Sequence, residues 1–300
     1  MKKIYSVLLC LCMLPIGGCS SQKTDTPEKT DPVQTNESQG NEKDDKTDTE
    51  EKPVKCTIDS QVLYEGNGIK ITLKETEIKN FNRVELPLML ENESERPVTV
   101  QVRDISINNI MYDAVFSSEI AAGKKANDSL QFYNGDDRVD FAFVSDIEFK
   151  FHIFDGETWD TIEDTEQIYL QTSNEDYQYM PMKDGEVLFD QKGVTITYQG
   201  LKEDFGEVKV LLLIENTSDT YLCTQVRDSS INGFMVDSIM SSDILPGKSA
   251  YTSIGFLKSY LEENEITMET IEEIEFYFHI FEWDSWDEYI DSDIITLKIQ

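Results

Sequence analysis

The amino-acid sequence predicts an all-β protein, two tandem β-sandwich domains behind a leader and a polar tether. Three observations lead there: the chain repeats itself once at domain length, its apolar residues alternate with polar ones in short runs, and Gly, Asn and Pro punctuate those runs. Residues 101–120 match residues 225–244 at 12 of 20 positions without a gap, an offset of 124. Glu91-Asn92, Ser94 and Gly123-Lys124 recur at that offset as Glu215-Asn216, Ser218 and Gly247-Lys248. Residues 147–160 match 274–287 at 9 of 14 positions with an offset of 127, so the second copy holds a three-residue insertion in between.

Each element follows from local chemistry. Lys2 and Lys3 precede an apolar run over residues 4–16, too short to span a bilayer and therefore an export signal. The run ends in Ile16-Gly17-Gly18-Cys19-Ser20-Ser21, which resembles the lipobox of bacterial lipoproteins, with Ile16 where Leu is usual. That resemblance implies cleavage after residue 18 and a diacylglycerol on the Cys19 thiol; the alternative is an ordinary secretory signal in which Cys19 is incidental. Residues 19–55 carry Val33 and Val54 as their only large apolar side chains and cannot build a core, so they read as a lipidated, disordered tether. The first repeat is assigned to residues 56–176 and the second to 184–300, each the size of one small sandwich. Residues 69–73, 98–102, 147–151 and 194–198 alternate apolar with polar and read as strands with one buried face. Turns are expected at Gly66-Asn67-Gly68, between Asn92 and Pro97, at Ala122-Gly123, Asn134-Gly135, Gly193 and Pro246-Gly247, and the junction at Asp184-Gly185. Residues 258–264 are the best helix candidate, for one or two turns.

A Glu-Asn-x-Ser turn after a strand, a Gly-Lys step before a strand ending in Phe132 or Phe256, and a late strand closing on Phe-His-Ile-Phe recur in both copies. Over residues 60–300 these motifs resemble the immunoglobulin-like, telokin-like domain of unknown function found in secreted lipoproteins of Gram-positive bacteria. The resemblance implies an extracytoplasmic interaction or structural module and brings no catalytic residue with it.

His152 and His279, the only histidines, occupy equivalent places. Alternation sets His152 with Lys150 and Phe154 on the face opposite Phe149, Phe151 and Ile153, a surface or edge position. One histidine per copy without further ligands makes no closed zinc site, and a structural role is expected. Trp159 and Trp286 read as core-edge aromatics, with sugar-stacking platforms as the alternative. The acids that follow the same strand in each copy, Asp155, Glu157, Asp160, Glu163 and Asp164, then Glu282, Asp284, Asp287, Asp291 and Asp293, are candidates for a calcium site because hard cations need converging oxygens. Asp155, Glu157, Asp160, Glu282, Asp284 and Asp287 are its core; dense carboxylates also simply keep an exported protein soluble.

Arg103-Asp104 and Arg227-Asp228 are followed by Ser106, Asn108 and Asp113 and by Ser230, Asn232 and Asp237. Neighbours on a strand point to opposite faces, so each Arg-Asp pair is not one site, and one member is a candidate buried anchor. Cys56 and Cys223 are the one intramolecular disulfide open to the processed chain; free thiols are expected, because neither copy carries its own bridge.

A charge of −33, from 59 acids against 26 bases, argues against nucleic acid as a partner. The chain carries no Gly-x-Ser-x-Gly elbow, phosphate-cradling loop or cysteine with a histidine partner, so an enzyme is not expected. The predicted function is a lipid-anchored envelope protein on the extracytoplasmic face of the cell membrane, whose sandwiches bind an envelope protein, wall polymer or host ligand. The alternative is a structural or divalent-cation-binding component without a specific protein partner. No cofactor is expected beyond calcium.

Overall fold

The computed structural model describes residues 55–81, 83–112, 116–133 and 136–299. The leader, Cys19, the tether to residue 54, Asp113 and the Asn134-Gly135 turn lie outside these residues. The first copy contains β1 (Cys56–Ile58), β2 (Gln61–Gly66), β3 (Ile69–Leu73), β4 (Thr76–Ile78), β5 (Arg83–Asn92), β6 (Val98–Ile107), β7 (Ile110–Tyr112), β8 (Ser117–Ile120), β9 (Lys124–Tyr133), β10 (Asp146–Asp155), β11 (Thr161–Asp164) and β12 (Ile168–Gln171). The second contains β13 (Glu186–Gln191), β14 (Val194–Asp204), β15 (Glu207–Asn216), β16 (Leu222–Ile231), β17 (Phe234–Met235), β18 (Ser238–Ile239), β19 (Ser241–Ile244), β20 (Ser249–Leu257), α1 (Lys258–Glu262), β21 (Glu273–Glu282), β22 (Glu288–Asp291) and β23 (Ile295–Lys298).

In the first copy β2-β3-β5-β9 form one antiparallel sheet, and β6 and β10, flanked by β7, β8, β11 and β12, form the other. The second copy repeats this with β13-β14-β15-β20 against β16 and β21 and their short partners. The chain changes sheet after β5, returns after β8 and crosses again after β9, so β5 and β9 pair although β6 to β8 intervene. This is the immunoglobulin-like sandwich architecture. Period-two alternation supplies its filling. Ile69, Ile71, Leu73, Leu86, Leu88, Phe149, Phe151 and Ile153 meet in one core, and Ile196, Val210, Leu212, Phe276, Phe278 and Ile280 in a second. The expected helix is present as the short α1, which buries Leu261 in the crossover that holds the insertion.

Hairpin chemistry sets the strand register. Asn67-Gly68, Asn108-Asn109, Lys192-Gly193 and Asn232-Gly233 all hold two consecutive positive φ angles, the type I′ geometry that matches the twist of paired strands. Gly68 and Gly193 have a second reason to lack a side chain: a Cβ there would lie 3.2 Å and 3.0 Å from the amide nitrogens of Ser94 and Ser218. Those serines belong to the repeated Glu-Asn-x-Ser motif, whose purpose is now visible. Buried Asn92 donates through Nδ2 to the carbonyls of Arg96 (2.8 Å) and Ile120 (2.9 Å) and accepts from the Ser94 amide and hydroxyl. Asn216 does the same with Thr220, Ile244 and Ser218. One amide thus ties the turn after its own strand to the end of a short strand in the opposite sheet.

The two copies share more than a linker. β7 runs parallel to β20, with Ser249 opposite Ile110, which fuses one sheet of each copy into an 11-stranded sheet. At the junction Gly185 has a φ of +142°, and a Cβ would sit 1.9 Å from the Tyr198 carbonyl oxygen, so no other residue fits. Cys56 and Cys223 are free and buried, Cys56 within β1 and Cys223 within β16.

Asn92→Ala or Asn216→Ala strips partners from two carbonyls and an amide at once and is expected to lower stability by about 2–4 kcal/mol each. Denaturant unfolding measures it. A loss within 0.5 kcal/mol, the range of ordinary surface changes, contradicts the anchoring role.

Candidate functional site

Each sheet that contains β10 or β21 carries a ladder of rings on its outer face. In the first copy the His152 ring lies 5.3 Å from Phe154, and Phe154 lies 5.5 Å from Trp159 with planes 18° apart. In the second, His279, Phe281 and Trp286 repeat the arrangement at 5.5 Å and 5.4 Å, the last pair 17° apart. Asp164 and Asp291 close the far ends, each with Oδ1 2.6 Å from its histidine's Nδ1. Both tryptophans sit in the hairpin turn after the long strand, where Trp159 N–H donates to Asp155 O and Trp286 N–H to Glu282 O.

The surroundings of these residues differ from those the alternation predicts. β10 is an interior strand, flanked by β6 on one side and β11 and β12 on the other. Phe154 is buried because Trp159 folds back over it. The tryptophans are not at the core edge: Trp159 is 73% and Trp286 69% exposed. Each also holds a positive φ, 66° and 62°, a conformation that costs an L-residue roughly 1–2 kcal/mol. A bulky residue held so, twice, in water is an outlier that points to use.

The calcium candidates do not gather. Among the described residues no group of three or more His, Cys, Asp or Glu side chains could hold a metal ion. Asp155 accepts the amides of Glu157 (2.9 Å) and Thr158 (3.0 Å), which hold its carboxyl below the usual range, with Arg96 adding to the effect. Asp160 accepts from the Thr158 hydroxyl and Glu282 from that of Ser285. Glu163 accepts from Asn67, while Asp164 and Asp291 face the histidines. The backbone carbonyl of Asp293 accepts from Ser292. Glu157, Asp284 and Asp287 lie exposed in the turns.

Arg103-Asp104 and Arg227-Asp228 fall at bulges. Asp104 and Asp228 have φ near +54° and +52°, and the register with β10 and β21 slips there, so simple alternation fails. Asp104 is the anchor of the first copy: it pairs with Lys150 and accepts from the Tyr221 hydroxyl of the second copy at 2.8 Å. Burial, joined by the Asp104 charge, pushes that hydroxyl's pKa up. Asp228 is exposed. Asn108 and Asn232 are local anchors, bonding the crossovers at Phe143 and Ser145 and at Thr270, Glu272 and Glu273. Ser106 and Ser230 are buried, and Asp237 is exposed.

Arg138 and Tyr221, which the copies do not share, and Lys248, from the repeated Gly-Lys step, join the copies. Arg138 uses all five guanidinium hydrogens: on Asp136 through Nε (2.9 Å) and Nη2 (2.6 Å), and on Gln199, the Leu212 carbonyl and the Thr252 carbonyl at 3.0–3.1 Å. It also packs 4.9 Å over the Tyr251 ring. Lys248, buried, pairs with Glu148 and donates to Asn109 at 2.8 Å. Tyr221 completes the set. A cleft of about 760 Å³ lies between the copies, lined by Asp104, Tyr112, Asp137, Lys202, Lys209 and Asp243 among others. Its charges largely answer one another, Lys202 on Asp137 and Lys209 on Asp204. Nothing in the repeat pattern marks Arg138, which stands in the irregular stretch where the copies differ most.

No protein-family model matches the chain, and no curated protein matches it either. Among solved structures it is similar to red sea bream transglutaminase, 8% identical over 79% of this chain and 32% of that one, with a TM-score of 0.23. The YadV chaperone aligns at 15% identity over 73% of this chain and 92% of its own, TM-score 0.24. A chain of the Salmonella enterica SafA pilin–SafB chaperone complex aligns at 11% over 72% and 89%, TM-score 0.18. These scores are too low for any of the likenesses to bear on function.

Arg138→Ala is expected to cost about 2–4 kcal/mol, because it removes the guanidinium from Asp136, Gln199 and two carbonyls at once, and to split one calorimetric unfolding transition into two. Burial alone would raise the Asp136 carboxyl, but the Arg138 bonds and charge outweigh it and hold the carboxyl below its usual value. A depressed carboxylate stabilises the fold above its ordinary range and loses that contribution as pH falls through the folded-state value. The native chain is therefore expected to lose stability below about pH 4 more steeply than the Arg138→Ala variant. Parallel pH profiles contradict this.

Proposed function

We propose that the protein is a lipid-anchored binding module of the cell envelope, held on the extracytoplasmic face through Cys19 and carrying its ligand surface on the tandem sandwiches. The anchor is supported by sequence: a basic start, a short apolar run and the Gly-Gly-Cys-Ser step. The observation that carries the binding role is the stack-mounted, exposed tryptophan that recurs in the same turn of both copies. Exposed aromatics on a rigid sheet present apolar area at low entropic cost, the usual material of a recognition surface. The reading is non-catalytic, and it is supported by the partners the reactive groups do have. The Cys223 thiol lies against the Ser241 hydroxyl and is pushed up to about 12 by burial, far from a nucleophile's range.

Cys19→Ala is expected to abolish incorporation of labelled palmitate and to move the protein out of the membrane fraction; retention there contradicts the anchor. A photocrosslinking residue at Thr158 or Ser285, beside the tryptophans, is expected to give a discrete adduct on intact cells, and one at exposed Lys79 none. Adducts absent from all three positions contradict the binding surface.

A further inference from the structure

All three tryptophans of the chain, Trp159, Trp283 and Trp286, lie on one connected row of side chains. Starting in the second copy, Trp286 meets Trp283 at 5.8 Å, and Trp283 meets Tyr221 at 5.7 Å. The Tyr221 hydroxyl donates to Asp104 of the first copy, and Asp104 pairs with Lys150. Lys150 shares the outer face of β10 with His152 and Phe154, and Phe154 carries Trp159. The row therefore crosses the junction between the copies and ends in a largely exposed indole on either side. The stretch from Lys150 to Phe154 alone covers about 13 Å of strand.

Both exposed ends are acidic, and the lysine between them, Lys150, is already paired with Asp104. Residues 282–288 read Glu-Trp-Asp-Ser-Trp-Asp-Glu, four acids without a base, and the first turn carries Asp155, Glu157 and Asp160. Asp155 is occupied with its own turn and Arg96, but the Glu157 and Asp284 side chains, each two residues before a tryptophan, have no partner among the described residues. The four residues before the tryptophan all differ between copies, Asp155-Gly-Glu-Thr158 against Glu282-Trp-Asp-Ser285, yet the Trp-Asp step and its carboxylate neighbour stay. An open indole face attracts a guanidinium or ammonium group, and an uncommitted carboxylate beside it attracts the same group. A neutral sugar would use the rings and leave the charge unanswered.

We propose that this row is one binding surface for an extended polypeptide segment rich in arginine or lysine. The inference rests on the binding-module reading and assigns a ligand class to that same surface.

The test uses the full-length chain in a neutral detergent, titrated with a peptide of roughly ten arginines, about 33 Å when extended. Tryptophan fluorescence, excited beyond the tyrosine band, reports the row alone, since every tryptophan lies on it, and calorimetry reports the stoichiometry. One peptide is expected per chain, with affinity falling as salt rises. Trp159→Asn and Trp286→Asn are each expected to weaken binding about two- to fivefold; asparagine tolerates positive φ, so the turn survives, and melting curves verify it. Glu157→Gln with Asp284→Asn is expected to weaken binding further and flatten its salt dependence. Affinity unchanged in the double tryptophan variant means simple attraction between polyelectrolytes and overturns the proposal. So do two peptides per chain, or a neutral chito-oligosaccharide that quenches the same fluorescence where the arginine peptide does not. If those results came with the adducts at Thr158 and Ser285, the binding module would stand and only this ligand class would fall.

Discussion

The arrangement of the two copies depends on a single guanidinium whose every hydrogen is used. Arg138 enters the second copy from the first, and its plane meets two carbonyls of a sheet, a glutamine and its own aspartate at once. A lysine would supply charge without the flat fork that serves all of them. The contact is therefore one of geometry as much as of charge, and it orients the β7–β20 seam through which the sheets become one. Lys248 and Tyr221 act at other points of the same boundary, and each ends on a carboxylate of the first copy. Three such contacts remove the freedom that a tandem of sandwiches joined only by a linker would have.

Within each copy the same principle works locally. Identical side chains persist at Asn92 and Asn216, Ser94 and Ser218, and Asn108 and Asn232, and every one of these asparagines serves backbone groups at a crossover. A sandwich must break its ladders wherever the chain changes sheet, and the groups left over have to be bonded by side chains. The duplication preserves this caulking better than much of the packing around it. The proposed binding surface lies elsewhere, on the outer faces of β10 and β21 and the turns that follow them.

The strands and their inward faces were legible because period two leaves one reading for Ile69-Lys-Ile-Thr-Leu73 or Ile147-Glu-Phe-Lys-Phe151. Four things were not. Alternation cannot foresee a bulge, so Asp104 turned out to meet Tyr221 instead of sitting opposite its neighbour in a regular strand. It cannot foresee a turn that folds back, so Phe154 is covered and Trp159 exposed, the reverse of what their places along the chain suggest. A count of acids cannot show which carboxylates are already bonded: Asp155 and Asp160 serve their own hairpin, while Glu157, two residues along, does not. Contacts such as Lys248 with Glu148 join residues 100 positions apart, and no pattern within either copy announces them.

Sealing both sulphurs beneath packed side chains, each residue about 1% exposed, turns maturation into a race. In an oxidising setting an oxidant can reach Cys56 and Cys223 while the polypeptide is still unfolded, and a bridge between them would tie together strands that belong to different copies. Once the sandwiches close, neither sulphur can be attacked. Quick collapse of each half is thus the chain's own defence against oxidation, and a variant slow to close would emerge cross-linked, whatever its final stability.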